Sequence, residues 1–150
     1  MTAKQHLTNS TSHVTDWTRY LETETRRFDE TGVASAIVSI RLGSNDERIR
    51  HHVVGLLGHI LNPTDTFSLD ANNHLSLVLA PVQGVVALHV RVRALHAKIA
   101  ELGADPLTGY AMRRKDESLV NTLARADANA DRAGFRRERY PSVLVLPDNH

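Results

Sequence analysis

Asp65-Thr66-Phe67-Ser68-Leu69-Asp70-Ala71-Asn72-Asn73-His74-Leu75-Ser76-Leu77-Val78-Leu79-Ala80-Pro81 carries the strongest structural signal in this chain. Leu75, Leu77 and Leu79 alternate with other residues, the period of a strand whose side chains point to two faces. Ala71-Asn72-Asn73 interrupts the pattern, and Asn is among the few residues at ease in a primed turn. The stretch therefore reads as a hairpin of two short strands, with one apolar face that helices must cover.

The flanks supply those helices. On the N-terminal side, Asn45 or Asp46 is placed to cap a helix whose Ile49, Val53, Val54, Leu57, Ile60 and Leu61 share one face, and Pro63 stops it. Ahead of that helix, Val33 to Leu42 is apolar and β-branched, as a central strand requires. Val14, Trp17, Leu21 and Phe28 have helical spacing and predict an opening helix from Ser12 to Asp29, closed by Gly32. Beyond the hairpin, Gly84 leads into a helix over Val85–Leu102, with Val85, Leu88, Val92, Leu95 and Ile99 inward and Gly103 at its end. Leu107 to Arg113 reads as a strand. Asp116 is placed to cap a helix that ends near Gly134, and Ser142 to Leu146 forms a last β-rich run. The sum is an α+β fold, a single mostly antiparallel sheet flanked by helices. Residues 1–12 are polar and expected to be a disordered tail, and residues 13–150 one domain.

Composition narrows the chemistry. A formal net charge of +1 gives no support to bulk attraction to nucleic acid or to an anionic membrane. With no cysteine there is no thiolate nucleophile, disulfide or cysteine-bound zinc. No apolar run is long enough to span a bilayer and no signal peptide is evident, so a cytoplasmic protein is expected. No Gly-rich phosphate loop or Gly-x-Ser-x-Gly elbow is present. His52 with His59, and His89 with His96, lie seven apart, which puts each pair about 10 Å apart on a helix, too far for one ion. His51 and His74 add no zinc spacing, so no metal and no cofactor is expected. Arg91, Arg93, His96 and Lys98 suggest a basic helix face, and Arg132, Arg136, Arg137 and Arg139 a denser cluster open to a nucleotide or an acidic partner. Trp17 is expected in packing, within the core or at a dimer contact.

From Thr25 to Gly134 the order and spacing of these segments resemble the GGDEF domain of diguanylate cyclases. Arg26-Arg27-Phe28 resembles the family's Arg-Arg-x-Phe segment, Ala36 to Leu42 its first core strand, and Ile49 to Asp65 its helix leading to the signature hairpin. Ala126-Asp127-Ala128 with Ala133 resembles its late Ala-Asp-x-Ala helix. The five signature residues fall on Ala71, Asn72, Asn73, His74 and Leu75.

The resemblance implies two divalent cations held between acids of the first strand and of the signature turn, which clamp a triphosphate and ease deprotonation of a ribose hydroxyl. The first-strand positions carry Ser39 and Arg41, and the signature acids are replaced by Asn73 and His74. Ala71 and Asn72 stand where glycines admit the guanine. The inhibitory Arg-x-x-Asp reads Asn62-Pro63-Thr64-Asp65, so its Asp survives and its Arg does not. The late-helix Lys aligns with Gly134. The expectation is a degenerate GGDEF-like domain, inactive as a cyclase, in a bacterial signalling setting. It would work as a regulatory module through a protein partner or a homodimer, with the opening helix as a candidate contact. The alternative is a non-catalytic receptor for a guanine nucleotide or cyclic di-GMP, in a cleft rimmed by Asn72, Asn73 and His74 and approached by Arg136 and Arg137.

Overall fold

The computed structural model of the chain describes residues 4–8 and 11–137. Its elements are β1 (Lys4–Thr8), α1 (Thr11–Thr31), β2 (Ala36–Leu42), α2 (Glu47–Ile60), β3 (Thr66–Asp70), β4 (His74–Leu79), α3 (Val85–Glu101), β5 (Pro106–Met112) and α4 (Leu119–Arg137). The sheet runs β1-β3-β4-β2-β5, so the β3–β4 hairpin lies beside the central β2. All pairings are antiparallel except β1 with β3. The α+β sheet expected from the sequence is the one observed.

Alternation along the strands divides the core in two. Ala36, Val38, Ile40, Leu75, Leu77 and Leu79 point to one face, where Val53 and Leu57 of α2 and Leu88, Val92 and Ile99 of α3 cover them. Ile37, Val78 and Ala111 point to the other, under Trp17, Leu21 and Phe28 of α1 and Leu119 and Ala126 of α4. Trp17, Leu21 and Phe28 of the opening helix are thus spent inside the domain, and Trp17 is 7% exposed, stacked on Tyr20 at 5.3 Å. Of the two places expected for Trp17, core and dimer contact, the core is the one observed.

The capping residues act as local chemistry dictates, with one change. Asp46 accepts the Arg48 N–H at 2.8 Å to start α2, and Gly32 closes α1 at φ 72°. Asp116 does not cap α4: it sits at φ 62°, and the Ser118 hydroxyl accepts the Asn121 N–H instead. The first twelve residues are not a tail throughout. Lys4–Thr8 lines up on β3, whose outer N–H and C=O groups would otherwise lack partners, and pairing of this kind needs no apolar side chains. The predicted Ser142 to Leu146 strand lies outside the described residues.

One glycine sets how closely α4 sits. A Cβ on Gly109 of β5 would lie 2.1 Å from the Ala130 amide nitrogen and 2.6 Å from the Ala126 carbonyl oxygen. Both are backbone atoms that cannot swing aside. Asn129 reinforces the contact, its Nδ2 donating to the Tyr110 carbonyl at 2.8 Å.

The start of α4 is tied to β5 by charge. Glu117 accepts from Arg125 at 2.6 and 2.8 Å, from Thr122 at 2.9 Å and from the Arg114 amide at 3.1 Å, while Arg125 also donates to the Met112 carbonyl. Burial alone would raise the Glu117 pKa. The hydrogen bonds from Arg125, Arg114 and Thr122, with the Arg125 charge, outweigh it and hold the carboxyl at about 2, against an ordinary 4.5.

Gly109→Ala is expected to lower stability by roughly 1–3 kcal/mol or more in urea unfolding; a loss under about 0.5 kcal/mol would contradict the seating of α4 on β5. The lowered Glu117 pKa makes its contribution complete above about pH 4.5 and lost as pH falls toward about 2. In Glu117→Gln, stability should be lower at pH 7 and should fall less steeply across that window. Parallel curves for the two proteins would contradict the ion pair.

Candidate functional site

Ser39 and Arg41 are two residues apart on β2 and share the face crossed by α4. Asp127 and Asp131, one turn apart on α4, meet them in register. The Ser39 hydroxyl donates to Asp127 Oδ1 at 2.6 Å, and Arg41 donates to Asp131. His74 opens β4 opposite Arg41, and its Nε2 lies 2.9 Å from both the Ser39 Oγ and Asp127 Oδ1. An ionised Asp127 only accepts, and the single Ser39 proton is already directed at it. Nε2 of the imidazole therefore carries a proton and shares it between the two oxygens. Burial opposes ionisation of Asp127, but the bonds from His74 and Ser39, with the charges of His74 and Arg41, hold its pKa below the ordinary value.

This cluster is not a nucleophile relay. A Ser–His–Asp relay uses opposite ring nitrogens, one toward the hydroxyl and one toward the carboxylate. Here one nitrogen meets both, and the hydroxyl proton points at the carboxylate. Nor does the donor set fit a pair of divalent cations, which take many oxygen ligands and several carboxylates. Of the two carboxylates on α4, Asp127 already holds two donors and Asp131 is taken by the Arg41 guanidinium. Among the described residues no group of three or more His, Asp or Glu is arranged to hold a metal.

The turn follows a different rule from the one expected. Only Asn73 has positive φ, at 62°, so the pair Asn72-Asn73 does not form a primed turn. The connection has three residues and ends in a left-handed one, the usual form for that length. Asp70 Oδ1 accepts the amides of Asn72 at 2.8 Å and His74 at 2.9 Å. Asn73 is buried. Its Nδ2 donates to the Ser44 carbonyl at 3.1 Å and to Asn45 Oδ1 at 2.5 Å, and its Oδ1 accepts from Arg50. Ala71, Asn73, Asn45, Glu47 and Arg50 line an open cavity of about 440 Å³. Leu75, the fifth signature residue, is in the core.

Other expected site residues are dispersed or differently employed. Asp65 is fully buried, accepting the amides of Asn62 at 2.8 Å and Ala80 at 3.1 Å and paired with Arg91. It joins three elements and offers nothing at the surface, whereas Asn62 is exposed. The basic face on α3 does not exist as expected, because Arg91 faces Asp65 and His96 is 5% exposed, bonded to Thr108 at 2.7 Å. His51, His52 and His59 are exposed on α2. Arg132 is exposed on α4; Arg136 and Arg137 lie in its last turn, and Arg139 is outside the described residues. Sequence reasoning missed Asp131 as a partner of Arg41 and Arg50 as the residue behind the turn. The signal for the first was available: acids at i and i+4 on a helix match strand residues at i and i+2.

No protein-family model and no curated protein matches the sequence. Solved structures do match the fold. The GGDEF domain of DgcB from Caulobacter crescentus, in complex with c-di-GMP, superposes with a TM-score of 0.71 at 13% identity, over 86% of this chain and 84% of that one. A DGC protein from Thermotoga maritima gives 0.56 at 15%, over 87% and 95%. The diguanylate cyclase SiaD from Pseudomonas aeruginosa, in complex with its activator SiaC, gives 0.57 at 14%, over 86% and 56%. The path of the chain, from the central β2 through the hairpin to α4, is that of a GGDEF-like domain.

Proposed function

We propose that this chain is a GGDEF-like module that makes no cyclic di-GMP and works by contact with another protein or with a second copy of itself. The observation that carries the proposal is the cluster of Ser39, His74 and Asp127, closed upon itself where the family resemblance puts metal-bound acids. Converting GTP at that place needs cations to neutralise phosphate charge. Arg41 is a fixed positive charge beside it, and like charges a few Å apart disfavour cation occupancy. With that chemistry set aside, the fold is left as a rigid carrier of surfaces. SiaD in complex with its activator SiaC is an instance of a structurally similar protein bound to a protein partner.

A second reading is favoured by the 440 Å³ cavity beside the hairpin tip, where Asn45, Glu47 and Arg50 offer donors and acceptors. There the chain would bind a guanine nucleotide or cyclic di-GMP without turning it over.

Purified protein incubated with GTP and magnesium is expected to yield no cyclic dinucleotide on chromatography; any product formed would overturn the claim of inactivity. Calorimetric titration with GTP and with cyclic di-GMP separates the two readings, since absence of both heat and thermal shift removes the receptor. Light scattering tests self-association, and a clean monomer removes the homodimer. Affinity capture from the native cell tests the protein partner.

A further inference from the structure

Among the described residues three large hydrophobic side chains are exposed: Val85 at 40%, Val86 at 79% and Val90 at 62%. All three stand on the first two turns of α3. Helical spacing puts Val86, Val90 and Ala97 on the side opposite the buried Leu88, Val92 and Ile99, with exposed Ala87 and Ala94 alongside. β-Branched residues in that position cost helix propensity and gain no packing inside the domain. On the Ala87 side of the stripe a cavity of about 250 Å³ opens, lined by Asn62, Pro81, Val82, Gln83, Ala87 and Leu88, with Arg91 at its side. It has room for one bulky apolar side chain.

Charge selects the occupant. From Val85 to Ala100 the helix carries no Asp or Glu, and exposed Arg93 and Lys98 border the apolar stripe on its two sides. A second copy packed antiparallel on the same stripe would set Arg93 against Arg93, which is repulsive. A few valines and alanines also fall well short of the ~800 Å² per partner of a stable interface, though they suit a transient one. An anionic lipid surface is usually met by clusters of about 4–8 cations, more than this face presents. We infer that the outer face of α3 docks an acidic amphipathic helix of a protein partner, one bulky apolar side chain entering the cavity and carboxylates meeting Arg93 and Lys98. The inference rests on the proposed role as a protein-binding module and gives that role a surface and a partner chemistry.

The test uses the full chain and a fluorescent synthetic helix with leucines on one face and glutamates on the other, followed by anisotropy. The control helix has the same leucines with lysines in place of glutamates. The glutamate helix is expected to bind at least roughly tenfold more tightly than the lysine helix, and to weaken as salt rises. Val86→Glu with Val90→Glu, both exposed and with Glu the better helix former, should cut its affinity at least roughly tenfold with the unfolding midpoint unchanged. Arg93→Glu, made separately, should also weaken it. No binding, equal binding of the two helices, or binding that survives these substitutions would overturn the inference. So would a dimer, or sedimentation with phosphatidylcholine–phosphatidylglycerol vesicles, that the valine substitutions abolish. A natural partner still captured by the Val86→Glu, Val90→Glu chain would overturn this surface and leave the module reading standing. Cyclic di-GMP synthesis would overturn the module reading and not the peptide result.

Discussion

The absence of a side chain at Gly109 decides how the domain is assembled. Any Cβ there would occupy the backbone of α4. Because it is missing, the helix lies directly on β5 and β2, and Asp127 and Asp131 come within bonding reach of Ser39 and Arg41. A helix held one side-chain layer higher would leave a gap, and the polar atoms on this part of the sheet would face water or each other. The same face is apolar at one end, around Ile37, Val78 and Ala111, and polar at the other. The domain is therefore fastened along α4 by the Glu117–Arg125 pair at its start, by packing of Leu119 and Ala126, and by hydrogen bonds and ion pairs further along.

Most of the fold could be read from the residues because its signals were local. The alternation Leu75-Leu77-Leu79, the proline after α2 and the glycines after α1 and α3 act within a few positions of themselves. What escaped was set by distant partners. His96 sits between exposed Ala97 and buried Leu95 on a turn whose spacing left it ambiguous, and only Thr108 on the neighbouring strand determines that it is inside. The spacing puts Arg91 on a basic face, yet the buried Asp65 draws it inward. Asp, like Ser, favours a cap site, but two residues of register separate Asp116 from the true cap of α4, Ser118. β1 was illegible for another reason: at an edge the backbone does the pairing, and side-chain polarity then carries little information.

The candidate site was legible in outline. Ser39, Arg41 and His74 do converge, as their places along β2 and β4 require. The spacing matches Asp127 and Asp131 to Ser39 and Arg41, but that they touch depends on helix-to-sheet distance, which no spacing in a single sequence encodes. The histidine-to-strand contacts of α3 belong to the same category. His89 meets the Tyr110 hydroxyl at 2.5 Å and His96 meets Thr108, two rungs that set the height of α3 along β5. Burial raises the Tyr110 pKa to about 12, so its hydroxyl stays neutral at physiological pH. The face of α3 turned away from β5 is thereby presented at a definite position.

Asn73 joins two jobs that other residues could do only singly. Its left-handed backbone would suit glycine, but its amide group fastens the hairpin tip to Ser44, Asn45 and Arg50. A glycine in its place would keep the bend and release the fastening. The loop between β2 and α2 would then be at liberty to drift from the tip, and the hollow between them would lose its fixed outline. The side chain that closes this corner to a backbone-hugging ligand is also the clasp that keeps the corner in shape, so opening it and preserving it are competing demands on one residue.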